Sequence, residues 1–511
     1  MRLFSILALL ITSNAVFAGE AALRKPRLVV NIIVSQMRSD VLDDLAHDFS
    51  EKGFKEFLKK GVVCSQASFN FMQTTTLPAL SSIATGAYPS THGIVTERWI
   101  ERTTNEIVPI TYDKDIDGVG CDYGLGKYSS HNLVCQTLGD KLIKSNPKSK
   151  AVTIAIDANS AIVLGGEKTQ NYWMDLKRGT WISSSKFMTE LPQWAEDYNR
   201  QRNSKDFINF DWRSKTSIKT PRNMMPDYSK IPENEAGNTI TLEFAKQALI
   251  YEHLGKDDNT DLLNICLDSP RYISSKYGYD AEQTRQMFIR LDQEIGEFVN
   301  YLVTQLSEQD ILFVLSSDHG ASDTQKDENK RFDAAKFKIL ANSFLSSQFG
   351  SGEWVVDYID RQLFLNHNLI YSNRLSLEQV QNSLASFALQ FRGVANVYTS
   401  SNLQANYFGA GVGSLIQNGF YPKRSGDVTL NFQPGWIHAQ ANTLSESGSL
   451  YNYDREVPLI FMGAGLKANT IRSPVDMCAL APTLAYIMQI NPPEGSTGVR
   501  IDDITKNFDI K

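Results

Sequence analysis

Thr76 opens a Thr-Leu-Pro-Ala stretch that runs into the apolar segment Leu80–Ala84, and Ser316-Ser-Asp-His-Gly320 closes a run of apolar residues far downstream. A hydroxyl at the start of a helix meets unpaired N–H groups and the positive end of the helix dipole, a setting that suits a phosphate group. The commoner use of such a threonine is as a helix N-cap. Proline is tolerated in a first helical turn, so Pro78 is compatible with both readings. Asp318 and His319 follow an apolar run and so sit at the carboxyl end of a strand, where α/β sheets place their sites. Both are metal-ligand types; the plainer alternative is a strand-ending turn in which Asp318 caps the next segment. Serine and threonine are weak nucleophiles near neutral pH without a base or a metal. The chemistry these residues could do is to hold a phosphate group at the Thr76 helix start and to offer metal-ligand types at Asp318 and His319.

Positioning them requires strands whose ends converge. Short apolar runs alternate with amphipathic stretches, which predicts an α/β fold with a mainly parallel sheet. Strands are expected at Leu28–Val34, Ala151–Ile156, Leu262–Leu267, Ile311–Ser316, Val428–Phe432 and Val457–Met462. Ala281–Leu306 reads as a helix, because Phe288, Leu291, Ile295, Phe298, Leu302 and Leu306 recur at steps of three and four on one face. Val475–Met488 reads as another. Two stretches break the rhythm. Residues at about 165–255 are polar and aromatic, with Trp173, Trp181, Trp194 and Trp212, and read as an inserted cap. Residues at about 330–425 hold a helix pattern, Leu377–Phe391, between strand-like runs, and read as a small α/β insertion.

The chain of 511 residues has room for a large core or two to three domains, and its 42% apolar content fits an ordinary globular protein. A net charge of −6 argues against a general binder of nucleic acid or anionic membranes. Residues 1–18 read as a secretory signal: Arg2, an apolar core from Leu3 to Leu10, and small residues around Val16-Phe17-Ala18. A membrane span needs about 20 apolar residues, and Thr12, Ser13 and Asn14 end this run too soon. The mature core is then expected over residues 24–511, periplasmic or secreted. The five cysteines form no CxxC pair, which argues against a cysteine metal site. The seven histidines form no HxH or HExxH pattern.

Taken in order, Thr76-Leu-Pro-Ala, Thr85-Gly-Ala-Tyr-Pro-Ser-Thr-His-Gly-Ile94, Tyr172-Trp-Met-Asp175, Ser316-Ser-Asp-His-Gly320, Arg424-Ser-Gly-Asp427, Tyr453-Asp-Arg-Glu-Val-Pro-Leu459 and Ala481-Pro-Thr-Leu-Ala485 span nearly the whole mature chain. This series resembles the alkaline phosphatase superfamily, notably the phosphate-irrepressible bacterial enzymes with a threonine nucleophile and the nucleotide pyrophosphatase/phosphodiesterases. The resemblance implies a three-layer α/β/α fold with inserted cap segments, Thr76 as nucleophile, and two zinc ions. It also shows departures. Of the six expected zinc ligands, Asp318 and His319 remain, while Ser35, Arg271, Ser275 and Ser447 stand at the other four positions. His438 is the histidine nearest in sequence to the last of these. Glu97 stands where the monoesterases have asparagine, and Asp157 and Asn159 where they have lysine and arginine, changes that work against a dianion.

From these departures the expectation is a pseudoenzyme of this superfamily that binds an unidentified protein or anionic ligand, with no cofactor. The alternative is an active phosphomonoesterase or phosphodiesterase using Thr76 and a rearranged site, with one zinc or other divalent ion at Asp318 and His319. Arg271 is expected to point into the former metal cavity, pair with Asp318, and serve as an anion contact.

Overall fold

The computed structural model describes residues 23–201, 210–211, 216–217, 227–440 and 443–508. The export signal read at residues 1–18 and Trp212 lie outside the described residues.

Ten strands form the central sheet, in the spatial order Asn469–Ile471, Val62–Cys64, Leu459–Gly463, Ile311–Ser316, Leu28–Val34, Asp261–Leu267, Ala151–Ala155, Gln170–Asp175, Thr180–Ser184 and Gly118–Val119. The five strands from Ile311–Ser316 to Gln170–Asp175 run parallel to one another. Leu459–Gly463 and Thr180–Ser184 pair antiparallel on either side of them.

The apolar runs of the sequence are continuous because the inner strands are buried on both faces. Val29, Ile33, Leu262, Cys266 and Val314 pack into one core with Leu77, Leu80, Ile162 and Leu484 from the helices Thr76–Thr85, Ala158–Gly165 and Leu480–Ile487. Their neighbours Val30, Ile32, Leu263, Ile265 and Phe313 pack into a second core with Phe244, Phe288, Leu291 and Ile295 from Ala236–Tyr251 and Glu282–Gln305. Helix, sheet and helix make the three layers.

Three elements differ from the sequence reading. The strand Val428–Phe432 is not in the central sheet. It pairs antiparallel with Val394–Thr399 and Gln362–Leu365 in a separate four-stranded sheet, which has its own core under the helices Ala334–Phe349 and Leu377–Ala388. An apolar run reports burial, not the sheet it joins. Second, the stretch read as a cap at about 165–255 contributes two strands to the central sheet and a helix to its face. Its aromatic residues are core: Trp181 stacks on Phe244 at 4.5 Å between ring centres, and Trp173 and Trp194 are buried. Third, the helix read over Val475–Met488 is shorter. Val475–Asp476 pairs with Ala67–Ser68, the Asp476 carboxylate accepts from the Cys478 N–H, and the helix proper is Leu480–Ile487.

Candidate functional site

Parallel pairing brings three strand ends to one level. Val34 lies beside Leu267 and Ile33 beside Ser316, so Ser35, Asp268 and Ser317-Asp318-His319 emerge together at the carboxyl edge of the sheet. Asp318 is fully buried. One of its oxygens accepts from the Ser35 hydroxyl at 2.8 Å; the other accepts from the Gln36 and His319 backbone N–H groups at 2.9 and 2.8 Å.

His319 Nδ1 lies 2.7 Å from the Gly320 carbonyl oxygen. A carbonyl only accepts, so Nδ1 carries the proton and Nε2 is the free base. That Nε2 is 3.1 Å from Thr76 Oγ1, with both residues buried. Thr76 is not the helix N-cap: Thr75 is, in extended conformation, and Thr76 is the first helical residue. Its hydroxyl is therefore aimed at His319. Asp454, whose carbonyl accepts from the Gly320 N–H, has its own carboxyl pushed up to about 6 by burial.

The segment that delivers Thr76 is held from the inserted sheet. Strands Val355–Ile359 and Gln362–Leu365 are joined by Asp360 and Arg361, both left-handed at φ 46° and 65°. Such two-residue turns favour Asn-Gly, so non-glycine residues here are held by their surroundings at a cost of order 1 kcal/mol each. Gln73, itself left-handed at φ 68°, donates to the Asp360 carbonyl at 2.8 Å and accepts from the Gln362 amide at 2.6 Å. Buried Arg361 donates to the Ser447 carbonyl at 2.8 Å and reaches Glu446 at 3.2 Å. Gln73→Ala should therefore destabilise the protein by about 1–3 kcal/mol, the range for buried groups left unpaired; chemical denaturation measures it.

Beside this lies a cleft of about 410 Å³, bordered by Gln73, Thr75, Glu97, Asp360, Arg361 and Ser447. Enclosure in the cleft walls, then the carboxylates of Asp360 and Asp157, push the Glu97 carboxyl up. Burial also raises Asp360. Glu446 is instead held down at about 2: burial opposes its ionisation, but His438 and Arg361 prevail.

Arg271 departs from expectation. It pairs with Asp157 at 2.7 Å and Asp268 at 3.2 Å, and lies over the Tyr272 ring; it does not pair with Asp318. The helix Ser269–Tyr277 begins right after Asp268, which sets Arg271 three residues on and facing that carboxylate. Asp318 has no need of it, its oxygens being taken by Ser35 and two backbone N–H groups. Burial pushes fully buried Asp268 up to about 6, against the pull of Arg271.

Asp157 caps the helix Ala158–Gly165 through the Asn159 N–H at 2.8 Å, and the Asn159 side chain accepts from the Thr111 hydroxyl. Ser274 and Ser275 hydroxyls both reach the Gln36 side chain, at 2.7 and 3.4 Å. His438 is committed to Tyr358 at 2.8 Å and to Glu446. The structure thus joins Thr76 to His319, Ser35 to Asp318, and Arg271 to Asp157. The sequence reading missed Gln73, Asp360, Arg361 and Asp454; the left-handed backbone at three of them leaves no mark in residue type.

The large, mostly parallel sheet layered between helices is the alkaline-phosphatase-like fold. The chain matches the family described as type I phosphodiesterase / nucleotide pyrophosphatase over residues 29–453, and it belongs to that family, within the alkaline phosphatase superfamily. It is 29% identical to a Myroides odoratus protein named calcium-transporting ATPase, covering 96% of each chain. It is 28% identical to alkaline phosphatase PhoV of Synechococcus elongatus, covering 94% of this chain and 93% of that one. The crystal structure of wild-type alkaline phosphatase PafA superposes with a TM-score of 0.86 at 26% identity, over 94% of this chain and 99% of that one.

These relatives correct the expectation of a chain without a cofactor. Full-length homologues carry the name of alkaline phosphatases, a class in which the resemblance implies two zinc ions, so the expectation of no cofactor does not stand. Loss of catalysis likewise gains no support from them. The donors of this chain do not reproduce the two-ion set. Zinc takes about four N, O or S ligands; Asp318 and His319 are ligand types, whereas Ser35, Ser275 and Arg271 are engaged with Asp318, Gln36 and Asp157. Among the described residues no group of three or more His, Cys, Asp or Glu is arranged to hold an ion. Nor is any described helix long and apolar enough to cross a membrane.

Proposed function

We propose that this chain hydrolyses phosphate esters at Thr76, with His319 as the base. The observation that supports this is the 3.1 Å contact between Thr76 Oγ1 and the unprotonated Nε2 of His319, whose other nitrogen is tied to the Gly320 carbonyl. Nucleophile, base and a group orienting the base are the parts covalent catalysis requires.

His319 Nε2 takes the Thr76 proton as Oγ1 bonds to phosphorus. The departing alkoxide takes a proton from water in the cleft. The hydroxide so formed attacks phosphorus from that side, and His319 returns its proton to Thr76 Oγ1. Free N–H groups of the first turn of Thr76–Thr85 hold the phosphoryl oxygens.

A second reading, a protein that binds a ligand in this crevice without turning it over, is favoured by Ser35, Arg271 and Ser275, each bonded within the protein. One experiment separates them. Purified protein is assayed on p-nitrophenyl phosphate and bis(p-nitrophenyl) phosphate beside Thr76→Ala. Turnover lost in the variant supports hydrolysis; absent turnover, or turnover indifferent to Thr76, overturns it.

The site acts outside the cytoplasm on this reading. The chain should be cleaved after Ala18, which mass spectrometry of the native protein checks; an intact Met1 start would contradict it.

A further inference from the structure

Asp454 is a buried carboxylate that the steps above leave without a part. One of its oxygens accepts from the Ser449 N–H at 2.6 Å; the other has no hydrogen-bond partner among the described residues. Its backbone carbonyl accepts from the Gly320 N–H at 2.8 Å, and the Gly320 carbonyl lies 2.7 Å from His319 Nδ1. Position 320 has room for glycine alone, because a Cβ there would lie 2.0 Å from the Tyr453 carbonyl oxygen. The turn that carries Asp454 is therefore locked onto the residue that fixes the His319 tautomer. Arg361 and His319 are the cationic or protonatable groups that face the Asp454 carboxylate, and burial outweighs both. Arg361 also serves Glu446 and the Ser447 carbonyl. Asp318 has an oxygen 3.5 Å from His319 Nε2, but Ser35 and two backbone N–H groups already engage its carboxylate. A buried carboxylate oxygen left without a donor costs stability.

We infer that Asp454 is a positioning residue for His319: its turn holds the imidazole with Nε2 toward Thr76, and its carboxylate favours the positive charge that His319 acquires on taking the Thr76 proton. This deepens the reading above and rests on it. Asp454 forms and breaks no bond, and the proton passes only between Thr76 Oγ1 and His319 Nε2. A group behind the base that orients it and offsets its charge completes the arrangement of nucleophile and base. Here the orienting contact runs through the Gly320 backbone, so the Asp454 side chain is free to act by charge alone.

Asp454→Asn tests this, because it keeps an oxygen for the Ser449 N–H and removes the charge. The kcat for p-nitrophenyl phosphate should fall about tenfold, the scale of one charge acting across a buried site. KM should not rise, since the effect belongs to the step in which His319 becomes positive, and the melting temperature should stay close to that of wild type. A merely structural role would instead raise KM and lower the melting temperature along with kcat. That joint loss, or an unchanged kcat, overturns the inference and leaves hydrolysis at Thr76 standing. A wild type that turns over no ester overturns both. If Asp454→Asn does not fold, Asp454→Ser is measured in its place with the same expectation; failure of both variants to fold assigns Asp454 to the fold alone and overturns the inference.

Discussion

Thr76→Ala should lower phosphate ester turnover by about a thousandfold or more, the scale for removing a covalent nucleophile. His319→Ala should cost nearly as much, because a nucleophile and its base act as one unit and their losses do not add. The double variant should be no worse than either single one. Thr76→Ser keeps the hydroxyl on the first helical residue and should retain measurable turnover. Thr76 and His319 meet across 243 residues of sequence and hold no buried charge pair that alanine at position 76 would strand. The variant should therefore fold normally, and near-native melting beside lost turnover assigns the effect to chemistry. If Thr76→Ala and His319→Ala act independently, the two residues do not work as a pair.

Arg271→Ala should destabilise the protein by about 3 kcal/mol or more, as when one partner of a buried pair is removed. Its guanidinium is 14% exposed, Asp268 is fully buried and Asp157 is 22% exposed, so water replaces little of the lost interaction. The effect should depend on pH in a defined direction. Asp268 is raised in the folded protein to about 6, above its ordinary value near 3.9. A group raised on folding contributes stability that is fully present below its unfolded pKa and lost as pH rises through the folded one. Without Arg271 the ionised form has no cation beside it, whereas the protonated form needs none. The melting deficit of the variant should be large at about pH 8 and shrink at about pH 5. Equal small deficits at both pH values would mean that the pair is of little consequence.

Much of the architecture was written in the sequence. The inner strands carry uninterrupted apolar runs because they are buried on both faces, and Glu282–Gln305 follows its apolar stripe to within a residue at each end of the expected range. Val428–Phe432 shows where that reading stops: its burial was legible, its sheet was not, because pairing partners are chosen by the whole fold. The aromatic stretch from Trp173 to Trp194 misled for a related reason, since tryptophans under a helix and tryptophans in a cap have the same local pattern.

The site divides along the same line. Residue types alone showed a threonine at a helix start and an Asp-His pair at a strand end available for phosphate chemistry; the departures at Ser35, Arg271, Ser275 and Ser447 were legible only beside the family it resembles. Only the tertiary structure decided what those residues do. It turned the Thr76 hydroxyl from a cap into a partner of His319, gave Asp318 to Ser35 instead of Arg271, and gave Arg271 to Asp157 and Asp268. It also brought Gln73 and the Asp360–Arg361 turn, three non-glycine residues in left-handed backbone, to one point beside the crevice. The physical reason is range. Helix and strand preference are set by neighbours a few residues away, whereas Thr76–His319, Ser35–Asp318 and Arg271–Asp157 join residues more than a hundred positions apart, as soon as folding removes the water that would otherwise satisfy them.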